Sequence, residues 1–133
     1  MTPATARLET LLRQVGLLRK QFSLGQKSFA DFLQHSRNDF CNPPEEFFAH
    51  LRNAQDGAAL LLRASRLLSA HLEDMKNGAG AARTEDVLAQ AREIVAQVRS
   101  LMAGLSQVSI PGLSLEPSIW EEGIRVAGEA LDG

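Results

Sequence analysis

The stretch from Leu51 to Met75 constrains this chain more than any other. Leu51, Ala54, Ala58, Leu61, Ser65, Leu68, Leu72 and Met75 recur at alternating gaps of three and four, which lines them along one side of an α-helix. Leu60, Ala64, Leu67 and His71 form a second row beside it, and Arg52, Gln55, Arg63 and Arg66 fall towards the rim. Isolated helices are marginal in water and take most of their stability from packing, so a helix this apolar cannot stand alone. Other helices must cover it.

The rest of the chain supplies them. Leu8, Leu11, Val15, Leu18 and Phe22 repeat at the same spacing, and the phase continues through Gly25 to Phe29 and Phe32. It predicts one helix over 4–38, weakened near Gly25. Pro43 bars helix at Asn42, so Asn42 is expected to cap a second helix over 43–76, with Glu45 and Glu46 in its first turn. Lys76 followed by Gly78 is a helix end. Thr84, Glu85 and Asp86 open a third helix over 84–107, which carries Leu88, Ala91, Ile94, Val95, Val98, Met102 and Leu105. An apolar loop broken by Pro, Gly and Ser follows over 108–117, and Ser118 with Glu121 forms a capping box for a short helix over 118–131. Tyr is absent and Trp occurs once, while Leu and Ala abound, which disfavours a sheet. The expected fold is all-α: a single-domain antiparallel bundle of three long helices plus a short C-terminal helix.

Charge divides the chain by thirds. Residues 1–41 have a balance of +3, residues 42–83 cancel, and residues 84–133 have a balance of −5. The two ends can attract one another or face partners of opposite sign. The single cysteine, Cys41, excludes an internal disulfide, and with no apolar leader a cytoplasmic location is expected. No apolar run approaches the roughly 20 residues that cross a bilayer, so no membrane role is expected. Arg outnumbers Lys by 11 to 3, a bias associated with GC-rich bacterial genomes.

Residues able to carry chemistry are few. Arg66 and His71, on the central helix, resemble the Arg-then-His spacing of ribonucleases of the HEPN superfamily, which are all-α and of similar size. That resemblance implies an RNA-cleaving or nucleotide-handling enzyme using Arg66 and His71. The polar residue that family places after the Arg is Leu67 here, and five helical steps set Arg66 and His71 about 140° apart. His71 also resembles the exposed His of phosphotransfer bundles, but Lys76 and Gly78 come too late and Glu73 and Asp74 would repel a phosphoryl group. Glu46 and His50 are four apart without the inward Glu-x-x-His pairs of a helical metal site, and no metal or cofactor is expected. Arg7, Arg13, Arg19, Lys20 and Lys27 form a basic row without interleaved aromatics, so nucleic acid is not the expected partner.

The reading that follows is a non-catalytic protein–protein interaction module, similar in size and acidity to small bacterial adaptors and secretion chaperones. Ile110, Leu113, Leu115, Trp120 and Ile124 are its candidate partner-binding residues, an apolar loop and helix beside acidic side chains. Three long helices with apolar surfaces this wide also predict a homodimer that completes a larger bundle.

Overall fold

A computed structural model describes residues 3–113 and 117–132. They form four α-helices, α1 (Pro3–Asn38), α2 (Glu45–Lys76), α3 (Thr84–Leu105) and α4 (Pro117–Asp132), with one 3₁₀ turn at Ala81–Arg83 before α3. Each helix packs on the next and α4 returns to α1, so the four close a ring in which α1 and α3 are diagonal. This is an antiparallel helical bundle. α4 covers part of the apolar surface of the other helices within one chain.

α1 is unbroken through Gly25. The glycine is a notch and not a hinge: a Cβ there would overlap the indole of Trp120 from α4. Gly57 of α2 does the same for the Phe22 ring, and the Phe22 and Trp120 rings meet edge to face with centroids 5.2 Å apart. Large rings seated over missing side chains pull three helix backbones together at this waist, a contact worth about 0.5–1.5 kcal/mol beyond the area it buries. Around it Leu8, Val15, Leu18, Leu61, Leu68, Leu88, Val95, Val98 and Met102 are fully buried. Ala54, Gly57, Leu61, Ala64, Leu68 and His71 make the buried ridge of α2, while Ala58 and Ser65 from the expected line lie at its half-buried margin.

Helix ends differ from expectation by one or two residues, for local reasons. α2 begins at Glu45, with Pro44 as its N-cap in extended geometry (φ −58°, ψ 148°), because Pro44 denies the helical conformation to Pro43 as Pro43 does to Asn42. Asn42 therefore caps nothing. Thr84 is the first residue of α3, and α3 stops at Leu105, where Ser106 and Gln107 turn out of it. α4 opens at Pro117, a residue suited to a first turn, so Ser118 lies inside the helix and not at its cap.

At about 1.5 Å per residue, α1 and α2 run well past α3 and α4. Residues 106–113, which follow α3, cover part of that projection. Ile110 to Leu113 make a turn closed by a 3.0 Å bond from Leu113 N–H to the Ile110 carbonyl, with Pro111 second and Gly112 at φ +85°, the residue order of a type II turn. Gly112 lies against Phe32 of α1.

Candidate functional site

Apolar side chains bury themselves where they can, so an exposed one is informative only if it is large and held in place. Ile110 and Trp120 are buried in the core, Leu113 and Ile124 pack on its edge, and Leu115 lies outside the described residues. The five side chains expected to meet a partner are therefore, where described, engaged with their own bundle.

Arg66 and His71 do not converge. Arg66 is exposed, whereas His71 is 3% exposed beneath the α2–α3 junction. There the Thr84 hydroxyl lies 3.6 Å from Met75 Sδ and 3.0 Å from His71 Nε2. A hydroxyl has one hydrogen, so if Thr84 donates to the sulfur its oxygen accepts from Nε2–H. His71 Nδ1 is buried with no hydrogen-bond partner among the described residues. This arrangement ties α2 to the start of α3 and holds His71 away from solvent. Asp74 with Arg83 (3.0 Å) and Arg7 with Glu85 (2.6 Å) add exposed ion pairs at the same end; the Arg7 guanidinium holds the Glu85 carboxyl below its ordinary range. On α4, Arg125 joins Glu122 and Glu129 and lowers the Glu122 carboxyl in the same way.

Among the described residues, no group of three His, Cys, Asp or Glu side chains is gathered to hold a metal ion. No described helix is long and apolar enough to cross a membrane.

Two surfaces remain that packing does not explain. The first is the tip of the α1–α2 hairpin. Inside it, Phe47 is fully buried and its ring contacts Phe29, Phe32 and Phe48 at centroid distances of 4.8–5.7 Å. α1 ends in paired turns: Cys41 N–H donates to the Ser36 carbonyl (2.8 Å) and Phe40 N–H to the Arg37 carbonyl (3.2 Å). This is the Schellman motif, whose left-handed residue is normally glycine. Here that residue is Phe40, with φ 54° and 98% of its surface exposed. A bulky side chain in that region is a conformational outlier, and its solvated ring adds no packing to the two hydrogen bonds that close the turn. In the sequence, Phe40 falls four residues after Ser36 and eleven after Phe29, in phase with the buried line of α1, so spacing alone would bury it and only the turn that ends α1 exposes it.

The second surface is the outward side of α1, where Leu17 and Leu24 are 46% and 43% exposed. Arg13, Arg19, Lys20 and Lys27 are exposed beside them, and none has an ion pair among the described residues. The two leucines are seven apart on the side of α1 away from its core line, a second period hidden under the stronger first one. Comparison with family models, curated proteins and solved structures finds no match to this chain, so its function must be argued from these two surfaces.

Proposed function

We propose that this chain is a non-catalytic protein-interaction module whose hairpin tip inserts Phe40 into an apolar pocket of a partner protein. One observation carries the reading: a fully solvated phenylalanine occupies a left-handed helix-end position on a well-packed base. Left-handed backbone costs a non-glycine residue about 1–2 kcal/mol, and an exposed ring returns none of it through packing. Strain held without internal compensation points to a contact made outside the fold. The buried Phe29 and Phe47 and the half-buried Phe32 at the same end of the hairpin support the same reading, since an anchor residue works best on a rigid support. We place the module in the cytoplasm of a bacterium, in keeping with its lone cysteine and Arg-rich composition. A second copy of the chain is one partner to be tested, by light scattering across a concentration range.

Phe40→Gly separates the reading from mere stability. Relief of left-handed strain, less the extra unfolded-state entropy of glycine, should leave the variant more stable by on the order of 0.5–1 kcal/mol in urea unfolding. A partner that co-purifies with the wild-type chain from the native host should be lost from it. Greater stability with undiminished capture would sink the proposal.

A further inference from the structure

We infer that the outward side of α1 docks an acidic amphipathic helix of a partner protein, an inference that rests on the interaction-module reading and names a second contact for it. The inner side of α1 is committed to the core through Leu8, Leu11, Val15, Leu18, Phe22 and Phe29. On its other side Arg13, Leu17, Lys20, Leu24 and Lys27 recur at gaps of four and three, which lines them along one exposed row. The leucines repeat every seven residues and so do Arg13, Lys20 and Lys27. A row in which leucines and cations alternate, each at heptad spacing, has the three-and-four line of half a coiled-coil seam, and its complement is a helix that sets apolar side chains and carboxylates against it.

The charge that α1 itself brings to this side is one-signed, while α4 on its other flank carries Glu122 and Glu129, both paired with Arg125, and Glu121. α1 has no acidic residue between Glu9 and Asp31, a stretch whose four cations span about 21 Å from Arg13 to Lys27. α2 beside it adds the exposed Arg52 and Arg66, whereas Arg63 faces the α2–α3 groove with Glu93, and Asp56 is the one carboxylate of α2 between Phe47 and Leu72. Between the two helices runs a shallow groove of about 480 Å³ lined by Gly16, Ser23, Ala58, Ala59 and Leu62, with Arg19 and Lys20 at its edge. Gly16 opens onto empty space, so nothing bulky prevents a third helix from lying close.

Charge selects the occupant. A second copy docked through the same row would set Arg13, Lys20 and Lys27 against their equivalents. Single-stranded nucleic acid would neutralise the cations but find no exposed aromatic in the row on which to stack its bases. An acidic helix with its own apolar stripe covers Leu17 and Leu24 and neutralises the flanking cations together.

The test uses the full chain and a labelled synthetic peptide of about three heptads, with leucine in the seam and glutamate flanking it. A second peptide carries lysine in place of glutamate. Fluorescence anisotropy should show the glutamate peptide binding, more weakly at high salt. The combined Arg13→Glu, Lys20→Glu, Lys27→Glu variant should lose at least about tenfold in affinity and gain affinity for the lysine peptide. Leu17→Ser with Leu24→Ser should weaken the glutamate peptide at unchanged salt dependence, and an unaltered circular-dichroism melt for all these exposed substitutions keeps folding out of the result. The inference is overturned if the charge-reversed variant binds the glutamate peptide as well as wild type does, or if a single-stranded RNA oligonucleotide outcompetes that peptide. Concentration-dependent self-association abolished by the reversal would also overturn it, by making a second copy the occupant. No peptide binding, with native capture still dependent on Phe40, removes this docking face and leaves the module reading intact. Loss of both removes both.

Discussion

α1 and α2 end on the same backbone plan, and different residues close it. At the end of α2 the Ala79 N–H reaches the Asp74 carbonyl (2.8 Å) and the Gly78 N–H the Met75 carbonyl (3.1 Å), which repeats bond for bond the pattern at Ser36–Cys41. The left-handed residue is Gly78 with φ 79° in one case and Phe40 with φ 54° in the other. Glycine is neutral in that conformation and phenylalanine is not. The α2 end lies where the chain must hold two helices together, beside the His71–Thr84 pair and two cross-linking ion pairs. The α1 end lies at the tip, where the left-handed turn aims a ring at solvent. Identical backbone geometry thus stabilises the fold at one end and presents a side chain at the other.

The comparison breaks if the tip is simply loose. Phe47→Ala should cost about 3–5 kcal/mol in chemical denaturation, because its ring is fully buried among three others; a loss under about 1 kcal/mol would mean the exposure of Phe40 reflects fraying. At the opposite end, Thr84→Val keeps shape while leaving the buried His71 Nε2 without its partner, and should cost about 1–3 kcal/mol. Exchanging the end residues sharpens the contrast directly: Gly78→Phe should destabilise by about 1–2 kcal/mol, opposite in sign to Phe40→Gly. The smallest effect is on pH dependence. Glu85 and Glu122 have folded-state affinities for protons below the unfolded ones, so their contribution is present above the ordinary carboxylate range and fades as pH falls through their lowered values. Thermal melts of Arg7→Ala should therefore differ from wild type at neutral pH and converge with it in acid. Surface pairs of this kind are weak and screened by salt.

The helices were legible because their signal is local. Phe22, Leu61, Leu68 and Val98 are buried as their spacing requires, and the end of α2 follows from Lys76 and Gly78. What spacing could not show was Gly25 and Gly57. In sequence a mid-helix glycine reads as a weakness, and only the rings of Trp120 and Phe22, brought from other helices, turn the missing side chains into sockets. Trp120 shows the same limit from the other side: an aromatic among acidic residues invites a partner reading, yet the waist takes it in. Leu17 and Leu24 are hard to read from sequence because the dominant period of α1 masks theirs, and exposure belongs to the assembled bundle.

By itself the sequence determined that this chain forms long helices and that their apolar stripes must be covered, because backbone propensity and three-and-four periodicity act within a few turns. Only the tertiary structure decided which helix covers which, that α4 closes the ring between α3 and α1, and which apolar side chains were left outside. Those outcomes depend on side chains distant in sequence fitting into one another. No period along one chain encodes that fit.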